Sequence, residues 1–86
     1  MTYERFLELM KEWNITQDKY SILTNKYPKD CAAILEKTSN NFYAVYYYEM
    51  SKDYVLYFNK LEDAYFALAC LIRYQFVDNN KIEIAI

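Results

Sequence analysis

Three observations predict an α+β fold, in which a small antiparallel sheet of three to four strands packs with an N-terminal helix and a C-terminal helix. Apolar residues recur at helical spacing from Thr2 to about Asn14, aromatic and β-branched residues fill positions 42–58, and a second helical stripe runs from Lys60 to about Tyr74. With 86 residues, 55% of them hydrophobic and 26% charged, the chain holds enough apolar surface for one core. It contains no internal repeat, low-complexity linker or block of like charge, so residues 1–86 read as a single domain.

The first helix, about 2–14, places Tyr3, Phe6, Leu7, Met10 and Trp13 on one stripe and Glu8, Lys11 and Glu12 opposite. Thr2 suits its N-cap, Glu4 suits the positive end of the helix dipole, and Asn14 can end it in the left-handed conformation. Segment 16–37 is open to two readings. Tyr20, Ile22 and Leu23 make a short strand bracketed by Asn25 and Pro28, or part of a second helix from Thr16 to Lys26. Cys31–Lys37 reads as a strand leading into a turn at Thr38–Asn41, although Ala32, Ala33, Leu35 and Glu36 would also suit a helical turn.

The centre of the sheet is a hairpin over about 42–58. Phe42–Met50 forms one strand, Ser51, Lys52 and Asp53 the turn, and Tyr54–Phe58 the returning strand. Alternation places Tyr43, Val45, Tyr47 and Glu49 on one face and Phe42, Ala44, Tyr46, Tyr48 and Met50 on the other. The second helix, about 60–74, opens after Asn59 with Glu62 and Asp63 in its first turn and buries Leu61, Ala64, Tyr65, Leu68 and Ile72. A turn at Asp78–Asn80 and the alternation of Ile82, Ile84 and Ile86 predict a last edge strand.

Composition narrows the function. The chain has no Gly, so the phosphate-cradling loops that depend on glycine's backbone freedom are excluded. It has no His, which removes the usual general base, the Ser-His and Cys-His pairs and the commonest zinc ligand. Ten basic against twelve acidic residues, a formal charge of −2, give no footprint for nucleic acid. Charges interrupt every apolar run near the N-terminus, so neither a signal peptide nor a membrane span is expected and the protein reads as cytoplasmic. Cys31 and Cys70, each flanked by small apolar residues, read as buried reduced thiols.

The carboxylate pairs Glu62/Asp63 and Glu49/Asp53 are explained by the helix dipole and a solvated turn, so no catalytic residues, cofactor or metal are expected. Tyrosine is the unusual feature, with eleven copies including Tyr46, Tyr47 and Tyr48 in succession. Its rigid ring and polar tip suit protein-binding surfaces. The expectation is a face of outward tyrosines beside Glu49 and Asp53, which would serve either a partner or a homodimer.

The segment Tyr43–Ile72 resembles small immunity proteins of bacterial polymorphic toxin systems. The matching residues are Tyr43, Val45, Tyr46, Tyr47 and Glu49 in the strand, Phe58 at the end of the next, and Glu62, Asp63 and Ala64 opening the helix. Where that pattern carries Arg-Gly after the strand glutamate, this chain has Met50 and Ser51. The resemblance implies a non-enzymatic protein that binds and occludes a cognate toxin domain, and the mild acidity of the chain would help steer it to a basic one such as a nuclease. Its partner-binding residues would be Tyr46, Tyr48, Glu49, Asp53, Glu62 and Asp63.

Overall fold

The computed structural model describes residues 1–23 and 31–78, with the side chains of Asp53 and Tyr54 outside that description. Helix α1 (Tyr3–Glu12) begins at Thr2, whose side-chain oxygen accepts from the Arg5 backbone N–H at 3.1 Å. It ends before Asn14, which takes φ 57° as its side chain allows. A short 3-10 turn, Gln17–Lys19, leads into strand β1 (Tyr20–Ile22). Strands β2 (Ala32–Lys37), β3 (Tyr43–Glu49) and β4 (Ser51–Phe58) follow, then helix α2 (Leu61–Ile72), which continues as a wide π-helical turn over Arg73–Asp78.

The α+β expectation holds, and both ambiguous segments with described residues are strands. The sheet runs β1-β2-β3-β4, with antiparallel pairing from β2 to β4. The all-antiparallel expectation fails at β1, which pairs parallel with β2 through Tyr20↔Ala33 and Ile22↔Leu35, so the sheet is mixed. Parallel and antiparallel ladders impose the same alternation of side chains, and a residue pattern therefore does not distinguish them. The predicted C-terminal strand at Ile82–Ile86 and the turn residues Asn25 and Pro28 lie outside the described residues.

With no glycine available, the turns are made by other residues. Asn14, Leu23, Cys31, Asn41 and Met50 all have φ between 52° and 69°. Asparagine does this at little cost, whereas Leu, Cys and Met each oppose it by roughly 1–2 kcal/mol. The hairpin turn differs from the expected Ser51–Asp53. Met50 alone separates the paired residues Glu49 and Ser51, and the register shifts between Val45↔Leu56 and Tyr47↔Asp53 through a bulge in β4.

Both helices lie on one face of the sheet. Phe6 and Met10 of α1 and Ala64, Tyr65, Leu68, Ala69 and Ile72 of α2 close over Ala33, Leu35 and Val45 in one buried cluster. The rings of Phe6 and Tyr20 meet edge-on at 5.3 Å between centroids. A smaller cluster of Ile34, Ala44 and Tyr46, with Tyr48 and Val55 against it, occupies the opposite face. The predicted division of the hairpin into two faces is therefore correct. Among the described residues no helix is long and apolar enough to cross a membrane.

Candidate partner-binding surface

The six predicted binding residues do not form one surface. Tyr46 is a correction: it is only 1% exposed, because it sits between Ile34 and Val55 with its ring under Lys52. Its hydroxyl donates to Glu36 Oε2 at 3.0 Å, and the Lys52 ammonium donates to Glu36 Oε1 at 3.2 Å while standing 5.0 Å from the Tyr46 ring centroid. A tyrosine held in this way contributes packing and a satisfied hydroxyl, and cannot be an exposed anchor.

Tyr48 is half-buried on the same face, and Glu49 is exposed at the hairpin tip beside Met50, which is 86% exposed. Asp53 stands opposite Tyr47 by register, and its side chain is outside the description. Glu62 and Asp63 are exposed in the first turn of α2. They follow the far end of β4, and at about 3.3 Å per residue the length of that strand separates them from the hairpin tip by roughly 23 Å. The hairpin tip and the helix acids therefore stand at opposite ends of β4.

Cys70 is a second correction, since it is exposed, and Cys31 is half-buried; both are free thiols. The cause is the rotation of α2. Residues 64, 65, 68, 69 and 72 are buried, which turns Phe66, Cys70, Arg73 and Tyr74 outward. Small apolar neighbours around Cys70 marked close helix packing at Ala69, one position away.

The outward row on α2 meets the edge of the sheet in a groove of about 550 Å³, lined by Leu56 and Phe58 of β4 and by Asp63, Phe66, Cys70 and Tyr74, among others. Leu56, Phe66 and Tyr74 are 56%, 59% and 59% exposed, and Tyr57, on the other face of β4, is 64% exposed. At roughly 150–250 Å² for each aromatic residue, these four leave on the order of 450 Å² of largely apolar side chain open to water. This surface is not among the binding residues expected from the sequence. The available signal was Phe66, an aromatic residue off the buried stripe of its helix.

Beneath the helices, Tyr47 packs against Phe76 at 6.2 Å between centroids, and Lys19 lies 5.6 Å from the same Phe76 ring. Burial first, then a hydrogen bond to Cys31 and the nearby negative groups, pushes the Tyr47 phenol up to about 12. Burial likewise raises Tyr20 and Tyr65, each with Tyr3 as a secondary cause. These phenols stay neutral at physiological pH, so they act as hydrogen-bonding packing groups. No protein-family model, curated protein or solved structure matches the chain.

Proposed function

We propose that this chain is a non-enzymatic, cytoplasmic binding protein that neutralises a cognate bacterial toxin domain by occluding it. The carrying observation is the continuous unit β3-turn-β4-α2, residues 43–72, which has the strand, strand, helix order that the resemblance to toxin-immunity proteins implies. Its tip presents Glu49 and Met50 to solvent, with Tyr48 half-buried behind them. A flexible apolar side chain beside a carboxylate can enter a cleft while the acid meets basic groups around it. The formal charge of −2 adds only modest steering toward a basic partner such as a nuclease.

The test begins with tagged protein as bait in a lysate of the source strain. Recovery of a secreted protein whose C-terminal domain binds in equal ratio identifies the candidate toxin. Expression of that domain alone should arrest growth, and co-expression of this chain should restore it. Glu49→Lys and Met50→Ala should weaken the complex by about tenfold each, the effect of losing roughly 1.4 kcal/mol, with unchanged circular dichroism. Rescue that survives both substitutions together would remove the hairpin tip from the interface. A domain that is not toxic, or is not neutralised, would refute the immunity reading.

A further inference from the structure

We infer that the β4 edge and its adjoining groove are the seat of a second copy of this chain, paired antiparallel through β4 to give one continuous sheet across a two-fold axis. This is independent of the toxin proposal and uses a different surface from the hairpin tip. Among the described residues β4 is paired on one side only, by β3. Its N-terminal part is disturbed by the bulge, whereas Leu56–Phe58 pairs in regular register with β3. Bulges blunt an edge, so the regular stretch is the part open to pairing.

The shape of the exposed surface selects the occupant. Leu56 is exposed on the helix side of the edge and Tyr57 on the other side. A helix laid in the groove would cover the first and leave the second in water. An added strand covers both, because its side chains alternate between the two faces. The groove also requires bulk above that strand on the helix side only. A two-fold axis normal to the sheet supplies it, placing the second copy's α2 on the same side and facing the first, so that Phe66 and Tyr74 of each copy fill the space over both β4 strands.

Charge and area favour the same arrangement. The two α2 helices run antiparallel across the axis, which sets the N-terminus of each macrodipole toward the C-terminus of the other. Roughly 450 Å² of side-chain surface from each copy gives about 900 Å². The backbone of the paired strands and the rim residue Cys70 bring the total near the 1,200 Å² at which stable interfaces begin.

Sedimentation of the full chain from low to several hundred micromolar, with thiol labelling of Cys70 followed by peptide mass spectrometry, tests the arrangement. The expected result is a dimer at the upper end of that range and slower Cys70 labelling as it forms. Leu56→Lys, a change at an exposed position, should weaken association at least about tenfold without altering circular dichroism. A wild-type chain that is monomeric throughout overturns the inference. So does a dimer insensitive to Leu56→Lys, or one in which Cys70 reacts as fast as in the monomer. The wild-type labelling result holds whatever the variant does to folding.

Discussion

Tyr46 and Tyr47 are neighbours in the chain that face opposite sides of one sheet, and they are kept from water by different means. Tyr47 is half-buried on the side that carries the large apolar core beneath both helices, with its ring against Phe76. Tyr46 lies on the other side, in a small cluster where Lys52 stands over its ring and Glu36 accepts its hydroxyl. Apolar closure depends on area and volume, whereas closure by charge and hydrogen bonding depends on particular partners. The two faces should therefore respond differently to substitution, pH and salt.

The largest effect is expected on the helix-covered face. Leu68→Ala removes a fully buried side chain from the middle of α2 and should destabilise the fold by about 3 kcal/mol in chemical denaturation. A domain of this size has on the order of 0.1 kcal/mol of stability per residue, so that loss is a large fraction of the total. A change below about 1 kcal/mol would mean that α2 is loosely seated and that the contrast between the faces is overdrawn.

Next in size is Tyr46→Phe. It keeps the ring but leaves Glu36 Oε2 without its 3.0 Å donor, and it should cost about 1.5 kcal/mol. Tyr46→Ala should cost more, about 3 kcal/mol, because the ring volume is lost as well. Any weakening of partner binding in that variant should track the unfolded fraction. Binding lost while the protein remains folded would show that Tyr46 reaches the partner after all.

Tyr46 also marks the limit of what the sequence discloses. The helices, the hairpin, the cap at Thr2 and the left-handed Asn14 and Asn41 follow from spacing and local chemistry, which act within a few residues. Alternation also separates Tyr46 from Tyr47 correctly. It does not say which neighbours will shield each face, because Glu36 and Lys52 reach Tyr46 across two strand pairings. The parallel β1 and the exposed groove at Phe66 are likewise consequences of how elements meet. The hairpin and helix acids are close in sequence number, yet a strand between them keeps them apart.

The helix-covered face should be sensitive to alkali. Tyr47 titrates near 12, above the 10 of an unfolded chain, because its neutral phenol is the form that fits among its neighbours. Between these values the unfolded state gives up its proton while the folded state keeps it. The folded state then binds more protons, so stability falls as pH rises. The contribution is fully present below pH 10 and is lost on passing through about 12. Tyr47→Phe should flatten this decline in urea titrations from pH 9 to 12, relative to wild type. An unchanged slope would place the alkaline sensitivity in other phenols, with Tyr20 and Tyr65 next in line.

The smallest expected effect probes the opposite face at the partly exposed Lys52. Lys52→Met preserves an unbranched apolar stem over the Tyr46 ring while deleting the ammonium that reaches Glu36 at 3.2 Å. Lys52 keeps nearly half of its side chain in water, where ion pairs are worth between about 0 and 1 kcal/mol. Glu36 retains the Tyr46 hydroxyl, so its carboxylate is not stranded. The loss should therefore be about 0.5 kcal/mol at low salt and should shrink further in molar sodium chloride. A loss above about 2 kcal/mol that persists in high salt would change the description of this face. Lys52 would then be its main support, and the Tyr46 hydroxyl would serve chiefly to orient the carboxylate that the lysine needs.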